Sequence, residues 1–316
     1  MLRYTIRRLI GAVPLLLGVS VLSFVFMQLA PGGPDALFAR NGRMSQAQLD
    51  AIRHNLGLDE PPHIQLVIWL GNLLQGDLGT SYTQYRPVTT VIWEVFPNTL
   101  LLMVAGLLLA LTLSLLFGIL AARKQYGLVD NATSFVSYFG LAMPVFWFGL
   151  MLQLLFAVKL GWLPSAGKQA AEGGGTLDLL RHLVLPAITI AIGSIAGWSR
   201  YVRSSTLEAL GQDFVRTARA KGLREQAVVV RHVLRNALIP LVTVVGIDVP
   251  LYLTGAVLTE TVFSWPGMGR LFFDSLTTRD YPVLMGTLVL GAVLIILGNL
   301  IADLLYGLLD PRIKYG

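Results

Sequence analysis

Apolar residues in this chain arrive in long blocks rather than in the alternation of a half-buried strand. Six blocks stand out, running from about Leu9 to Ala30, Thr99 to Ala121, Ser134 to Val158, Leu183 to Trp198, Ala237 to Val262 and Val283 to Leu305. A helix needs about 20 mainly apolar residues to cross a ~30 Å hydrocarbon layer, so the pattern predicts an all-α, polytopic membrane protein with six transmembrane helices. Prolines stand inside or beside several blocks, at Pro14, Pro144, Pro186, Pro240 and Pro250. In a helix bundle, neighbouring helices satisfy the carbonyls that a proline frees. The first block follows Arg3, Arg7 and Arg8, exceeds the length of a secretory h-region and ends without a small-x-small cleavage site. It reads as a retained anchor.

Two segments between blocks are too long for turns. In 31–98, Ser45 with Gln48 forms a capping box ahead of a helix that Gly57 can stop. After Pro61 and Pro62, residues Ile64, Leu66, Val67, Leu70 and Leu73 have the spacing of an amphipathic helix, before a turn-rich stretch with Gly76, Gly79, Tyr82 and Tyr85. This reads as a small external helical subdomain, or as a helix resting on lipid. In the second segment, 200–235, Phe214, Val215 and Ala218 share one helical face, Arg216 and Arg219 another, and Gly222 stands where a helix would stop. A short amphipathic helix here would rest on anionic headgroups or dock a cytoplasmic partner. The resulting organisation is a tail and first span (1–30), an external subdomain (31–98) and a five-span core (99–316) that contains loop 200–235.

Composition narrows the function. Of 316 residues, 54% are apolar and 13% charged, about half the charge of a soluble domain, which excludes a soluble enzyme. The net charge of +6 invites nucleic acid, but placement decides. Fifteen of the 24 Lys and Arg lie on the side of the two termini, eight of them between Arg200 and Arg235, whereas 31–98 has only Arg40, Arg43, Arg53 and Arg86. The positive-inside rule puts both termini in the cytoplasm and leaves no basic excess to explain by nucleic acid. With no cysteine, disulfides and thiolate sites are absent. His54, His63, His182 and His232 make no i,i+4 pair and predict no metal site. The nearest approach to a phosphate loop, Gly161 to Lys168, has five residues between its glycines and Gln169 in the Ser/Thr position, so neither ATP nor another cofactor is expected in this chain. No HExxH or GxSxG occurs.

Intramembrane ionisable groups are few, and each must face the bundle interior or a cavity. Asp248 and Glu260 lie in the fifth block; Asp303 lies in the sixth, four residues from Asn299, where the two can join helices. Asp248 reads either as a pathway or proton-coupling carboxylate or as an interhelical hydrogen-bonding group. In the third block Tyr138, Met143, Phe146 and Trp147 gather aromatic bulk around Pro144, as a hydrophobic gate or as lipid-facing rings.

The chain resembles permease subunits of the peptide/nickel branch of ATP-binding-cassette (ABC) importers, of the dipeptide/oligopeptide type. The resemblance rests on the order of Ala30-Pro31-Gly32-Gly33-Pro34, Leu56-Gly57-Leu58-Asp59, Gly76-Asp77-Leu78-Gly79-Thr80-Ser81, Arg216-Thr217-Ala218-Arg219-Ala220-Lys221-Gly222, Arg235-Asn236-Ala237-Leu238-Ile239-Pro240, Glu260 to Gly269, Arg279-Asp280-Tyr281-Pro282 and Leu309-Asp310-Pro311-Arg312. It implies the type I ABC importer permease fold in a bacterial or archaeal inner membrane. It also implies a second homologous permease, two cytoplasmic ATPases that bind ATP and Mg, an extracytoplasmic substrate-binding protein, and peptide import by alternating access. Phe214, Val215, Arg216, Thr217, Ala218, Arg219, Lys221 and Gly222 would form the coupling helix, with Ala218 and Gly222 in the second-Ala and Gly positions of the family's Glu-Ala-Ala motif. Arg216 and Thr217 replace its Glu and first Ala, and Pro240 lies farther downstream than the general pattern. Tyr138, Met143, Phe146, Trp147, Asp248 and Glu260 are candidates for the translocation path. Nickel chelates and oligosaccharides remain alternative substrates, and an ion-coupled carrier or a membrane scaffold alternative functions.

Overall fold

The computed structural model describes residues 2–29, 45–55, 57–170 and 173–309. The motifs at 30–34 and 310–312, together with Arg40 and Arg43, lie outside them. Regular structure among the described residues is helical, apart from one isolated bridge between Thr80 and Pro87. In chain order the helices are α1 (Leu2–Leu29), α2 (Gln46–Asn55), α3 (Pro62–Leu74), α4 (Val88–Arg123), α5 (Leu128–Ala142) and α6 (Val145–Leu152). There follow α7 (Gly175–Leu210), α8 (Asp213–Ala220), α9 (Glu225–Val228), α10 (Leu234–Asp248), α11 (Leu251–Val262), α12 (Met268–Thr278) and α13 (Tyr281–Leu309). Two π-helical stretches interrupt the series, Gln153–Lys159 after α6 and Val229–Val233 after α9.

Among the described residues four helices are long and apolar enough to cross a membrane: α1, α4, α7 and α13. Two bent pairs, Leu128–Ala142 with Val145–Lys159 and Glu225–Leu238 with Pro240–Asp248, raise the number to six if each pair is one span. The third apolar block thus does not form a straight helix; it bends by 110°. Pro144 forces Met143 out of the helical region, to φ −87 and ψ 128, because its ring clashes with a helical predecessor. The fifth block is divided at Val249 and Pro250 between α10 and α11. The fourth grows instead, from the predicted 183–198 to all of α7, because Val202, Thr206 and Ala209 stay buried at helical spacing beneath the polar residues that follow Trp198.

The chain forms two compact units, 1–99 with 266–296 and 100–265 with 297–316. These cut across the boundaries expected from the order of blocks. In the first unit Phe24 and Met27 of α1 cluster with Tyr281 and Met285 of α13, and Leu66 and Trp69 of α3 pack against them. The described part of segment 31–98 therefore shares its packing with the first helix. Its capping box forms reciprocally: Ser45 N donates to Gln48 Oε1 at 2.8 Å, and Gln48 N to Ser45 Oγ at 3.3 Å. In the second unit α7 is the central helix, burying Leu183, Ala187, Ile190, Ala191, Ile195, Trp198 and Val202 against Leu102 and Ala110 of α4, Leu241 of α10 and Tyr252 of α11. Gly118 permits the close approach of α4, since a Cβ there would meet Val202 Cβ at 2.6 Å and Ser199 O at 2.7 Å.

Candidate functional site

Helix α8 is a separate eight-residue element set on the end of the second unit. Gln212 enters it in an extended conformation, and Asp213 stands in its first turn, where a negative charge favours the helix dipole. Only Val215 and Ala218 are buried, in a cluster with Ala209, Val228, Val233 and Ala237, against which Leu210 packs. Phe214, predicted to share their face, is 38% exposed. Arg216, Thr217, Arg219, Ala220 and Lys221 are exposed as well. The helix stops at Gly222, whose φ of +74 is a left-handed conformation that side chains with a Cβ disfavour. There Gly222 N donates to Arg219 O at 2.9 Å and Leu223 N to Ala218 O at 3.3 Å, satisfying carbonyls that a helix end leaves open.

The charges on α8 are tied back to the same segment. Arg219 donates to Glu225 through Nη2 at 2.7 Å and Nε at 3.2 Å, which pushes its pKa up further from an already high value. Arg216 approaches Asp213 at 3.5 Å with both side chains well exposed. The result is a knob held by two apolar contacts, presenting Phe214, Arg216, Thr217 and Lys221 outward. Behind it, Val229–Val233 winds as a π-helix into α10, a departure from α geometry that recurs at functional sites.

The candidate pathway residues are dispersed. Tyr138, 61% exposed, carries the Arg200 guanidinium over its ring at 4.7 Å. Met143 forms the break, and Phe146 and Trp147, 46% and 45% exposed, lie beyond it on α6. Asp248 accepts a 2.7 Å hydrogen bond from Trp198 Nε1 across α7 and α10, so one of the two readings of Asp248 has a partner in place. Glu260 is completely buried, in the turn where Phe263 O accepts from Gly167 N at 2.8 Å and Val262 O from Gln153 Nε2 at 3.0 Å.

Two polar centres are not evident from the sequence. In the first unit Asp280 is buried and accepts four hydrogen bonds: Ser81 Oγ at 2.5 Å, Thr83 Oγ1 at 2.6 Å, and the Tyr82 and Thr83 amides at 3.1 Å each. This carboxylate joins two stretches that the resemblance marks separately, 76–81 and 279–282. In the second unit Asp130 of α5 accepts from Arg203 Nε at 2.5 Å and Nη2 at 2.7 Å. The signal available in advance was a charge beside an apolar block, but its partner 73 residues away was not.

Residues 114–315 match the family described as binding-protein-dependent transport system inner membrane component, and residues 1–103 match the N-terminal model of such membrane components. The oligopeptide transport system permease protein AppB of Bacillus subtilis is 46% identical over 317 residues, covering 100% of both chains. The di/tripeptide transport system permease protein DppB of Pseudomonas aeruginosa is 43% identical, covering 100% of this chain and 99% of the relative. Among solved structures, an inward-facing form of the MetNI methionine ABC transporter aligns with a TM-score of 0.56 at 18% identity, over 70% of this chain and 97% of that one; at that identity the likeness concerns the fold, which is the ABC importer permease fold. Matched along nearly its whole length, the chain belongs to the family of inner membrane components of binding-protein-dependent transport systems.

Proposed function

We propose that this chain, paired with a second homologous permease, forms the translocation pathway of a peptide importer that works by alternating access. Two cytoplasmic ABC ATPases bind the ATP and Mg, this chain binds neither, and an extracytoplasmic binding protein delivers the peptide. Both termini lie in the cytoplasm, where the basic segment around α8 meets the ATPases. The observation that carries this reading is α8 itself: a short helix whose buried side chains are Val215 and Ala218 alone, with its remaining side chains exposed. Such a surface suits a partner that pushes the helix as a body. Peptide as substrate is supported by the names of the relatives, and a pathway with few fixed charges suits cargo with many side chains. Tyr138, Met143, Phe146, Trp147, Asp248 and Glu260 remain the proposed pathway positions.

The test is to tag the chain, purify it in mild detergent and identify its companions by mass spectrometry. A second permease and one or two ATPases should co-purify, and reconstituted vesicles should take up labelled dipeptide only with ATP. Recovery of the chain alone, transporting on an ion gradient without ATP, would overturn the reading. Uptake of nickel chelates or oligosaccharides in place of peptide would replace the substrate and leave the machinery.

A further inference from the structure

A cavity of about 670 Å³ lies between α5 and α7 in the second unit, and of the proposed pathway positions it includes Tyr138 alone. It is lined by Ser134, Tyr138, Arg200, Tyr201, Arg203 and Ser204, a set rich in hydrogen-bond donors. The carboxylate that Arg203 meets is already engaged. Asp130 is 2% exposed, accepts from Nε and Nη2 of Arg203, and takes a third bond from Tyr126 N at 2.8 Å. Its charge balances Arg203 and fixes that side chain through Nε and Nη2, leaving Nη1 without a partner among the described residues. Arg200 pairs with no carboxylate among the described residues and rests on the Tyr138 ring. The cavity therefore holds one uncompensated positive charge, two guanidinium groups and four hydroxyls.

That inventory suits a tetrahedral oxyanion, since guanidinium donors match phosphate oxygens in pairs. The surroundings say what carries it. Leu141 forms part of the wall, and on the same helix Phe135 and Phe139 stack at 6.3 Å between ring centroids while 71% and 54% exposed. Tyrosines beside arginines at the end of an apolar span are also the pattern of a membrane interface. We propose that this cavity binds the phosphate of an anionic phospholipid headgroup, with Arg200 as the main ligand and Arg203 held ready by Asp130, while the acyl chains lie along Phe135 and Phe139. Its assignment to the cytoplasmic leaflet rests on the topology proposed above; the site itself does not.

The test uses the complete transporter, purified in mild detergent and measured by native mass spectrometry with added phosphatidylglycerol or phosphatidylcholine. The wild type should retain phosphatidylglycerol, and Arg200→Gln should hold it about tenfold more weakly, the scale of one charge-assisted hydrogen-bonding group. Arg200→Lys, which keeps the charge without the planar fork, should fall between. If Arg200→Gln does not assemble, the double variant Ser134→Ala, Ser204→Ala removes two donors and should show a loss of about fivefold. Displacement of the lipid by millimolar inorganic phosphate would keep the anion site and overturn the lipid as its source. Equal retention by wild type and variants would overturn the site. So would crosslinking of Ser204→Cys to the second permease, which would make the cavity a subunit contact. Arg224→Cys, probed separately in intact cells, tests sidedness alone, so a reversed topology and an absent site give different results.

Discussion

Two regions of this molecule are fastened in opposite ways. The stretch around Ser81 to Thr83 is pinned by Asp280, a buried carboxylate with four donors pointed at it. Helix α8 is held differently: buried Val215 and Ala218 seat it, a glycine ends it, and its polar tie, Arg219 to Glu225, is half exposed to solvent. Charge-assisted hydrogen bonds are directional and tolerate little displacement, whereas apolar contact is non-directional and survives sliding or tilting. The first region is fastened in one geometry, and the second is seated by contacts that tolerate tilting.

The largest effect should come from Asp280→Ala, which leaves several donors without an acceptor at roughly 1–3 kcal/mol each. Thermal unfolding of the purified protein should drop well below wild type, and Asp280→Asn, which still offers an oxygen, should fall between; an unchanged midpoint for Asp280→Ala would show that the pin carries no weight. Next is Ala218→Arg, which drives a long cation into the apolar seat of α8. Peptide uptake should be abolished while membrane levels and the unfolding midpoint change less than for Asp280→Ala, and full uptake at normal levels would remove α8 from coupling. Gly222→Ala should cost about 1 kcal/mol, the penalty for a left-handed residue with a Cβ. It should reduce uptake partially and raise hydrogen exchange at the Leu223 amide.

A fourth substitution, Arg216→Ala, should leave stability within about 0.5 kcal/mol, as surface changes do. Uptake or ATPase coupling should nevertheless change, which separates docking from folding. The smallest effect concerns an exposed pair, His54 Nδ1 with Asp59 Oδ2 at 2.7 Å. The hydrogen bond that His54 donates to Asp59 pushes His54 above its ordinary 6.5, and the same bond pulls Asp59 below its ordinary 3.8. The stabilisation from His54 is complete below 6.5 and lost as pH rises through its raised value; that from Asp59 is present above 3.8 and lost as pH falls through its lowered value. Both therefore operate together between about 4 and 6.5. Asp59→Asn should return the His54 midpoint, followed by NMR, toward 6.5, with hardly any change in stability because the pair is solvated.

The parts of this fold governed by local rules could be read in advance. The Ser45 and Gln48 capping box, the Gly57 and Gly222 stops and α8 itself depend on residues a few positions apart. Block lengths located the spans, but the positions of Pro144 and Pro250 alone did not show whether each would kink, divide or merely occupy a helix, as Pro14 and Pro186 do. The run past Trp198 looked like loop because Arg200, Arg203 and Ser204 dilute its hydropathy, although Val202, Thr206 and Ala209 kept the helical period. Of the candidate site, the helical pattern of 213–222 is legible as a short amphipathic helix; angular proximity to Ala218 places Phe214 on the buried face, yet Val215 sets the direction of burial. The pairings of Asp280 with Ser81, Asp130 with Arg203 and Trp198 with Asp248 join residues 199, 73 and 50 positions apart. Such partners are chosen by tertiary packing, which no local period encodes.

Helix α7 has 36 residues and so is about 54 Å long, nearly twice the thickness of the hydrocarbon layer. Its last turn, at Ala209 and Leu210, is packed against the seat of α8. An element of this length acts as a lever: pivoting by about 5° at one end displaces the other by roughly 5 Å, about one helical pitch. A modest push on α8 is therefore geometrically enough to shift the far end of α7 by the width of a small side chain, without any helix having to bend.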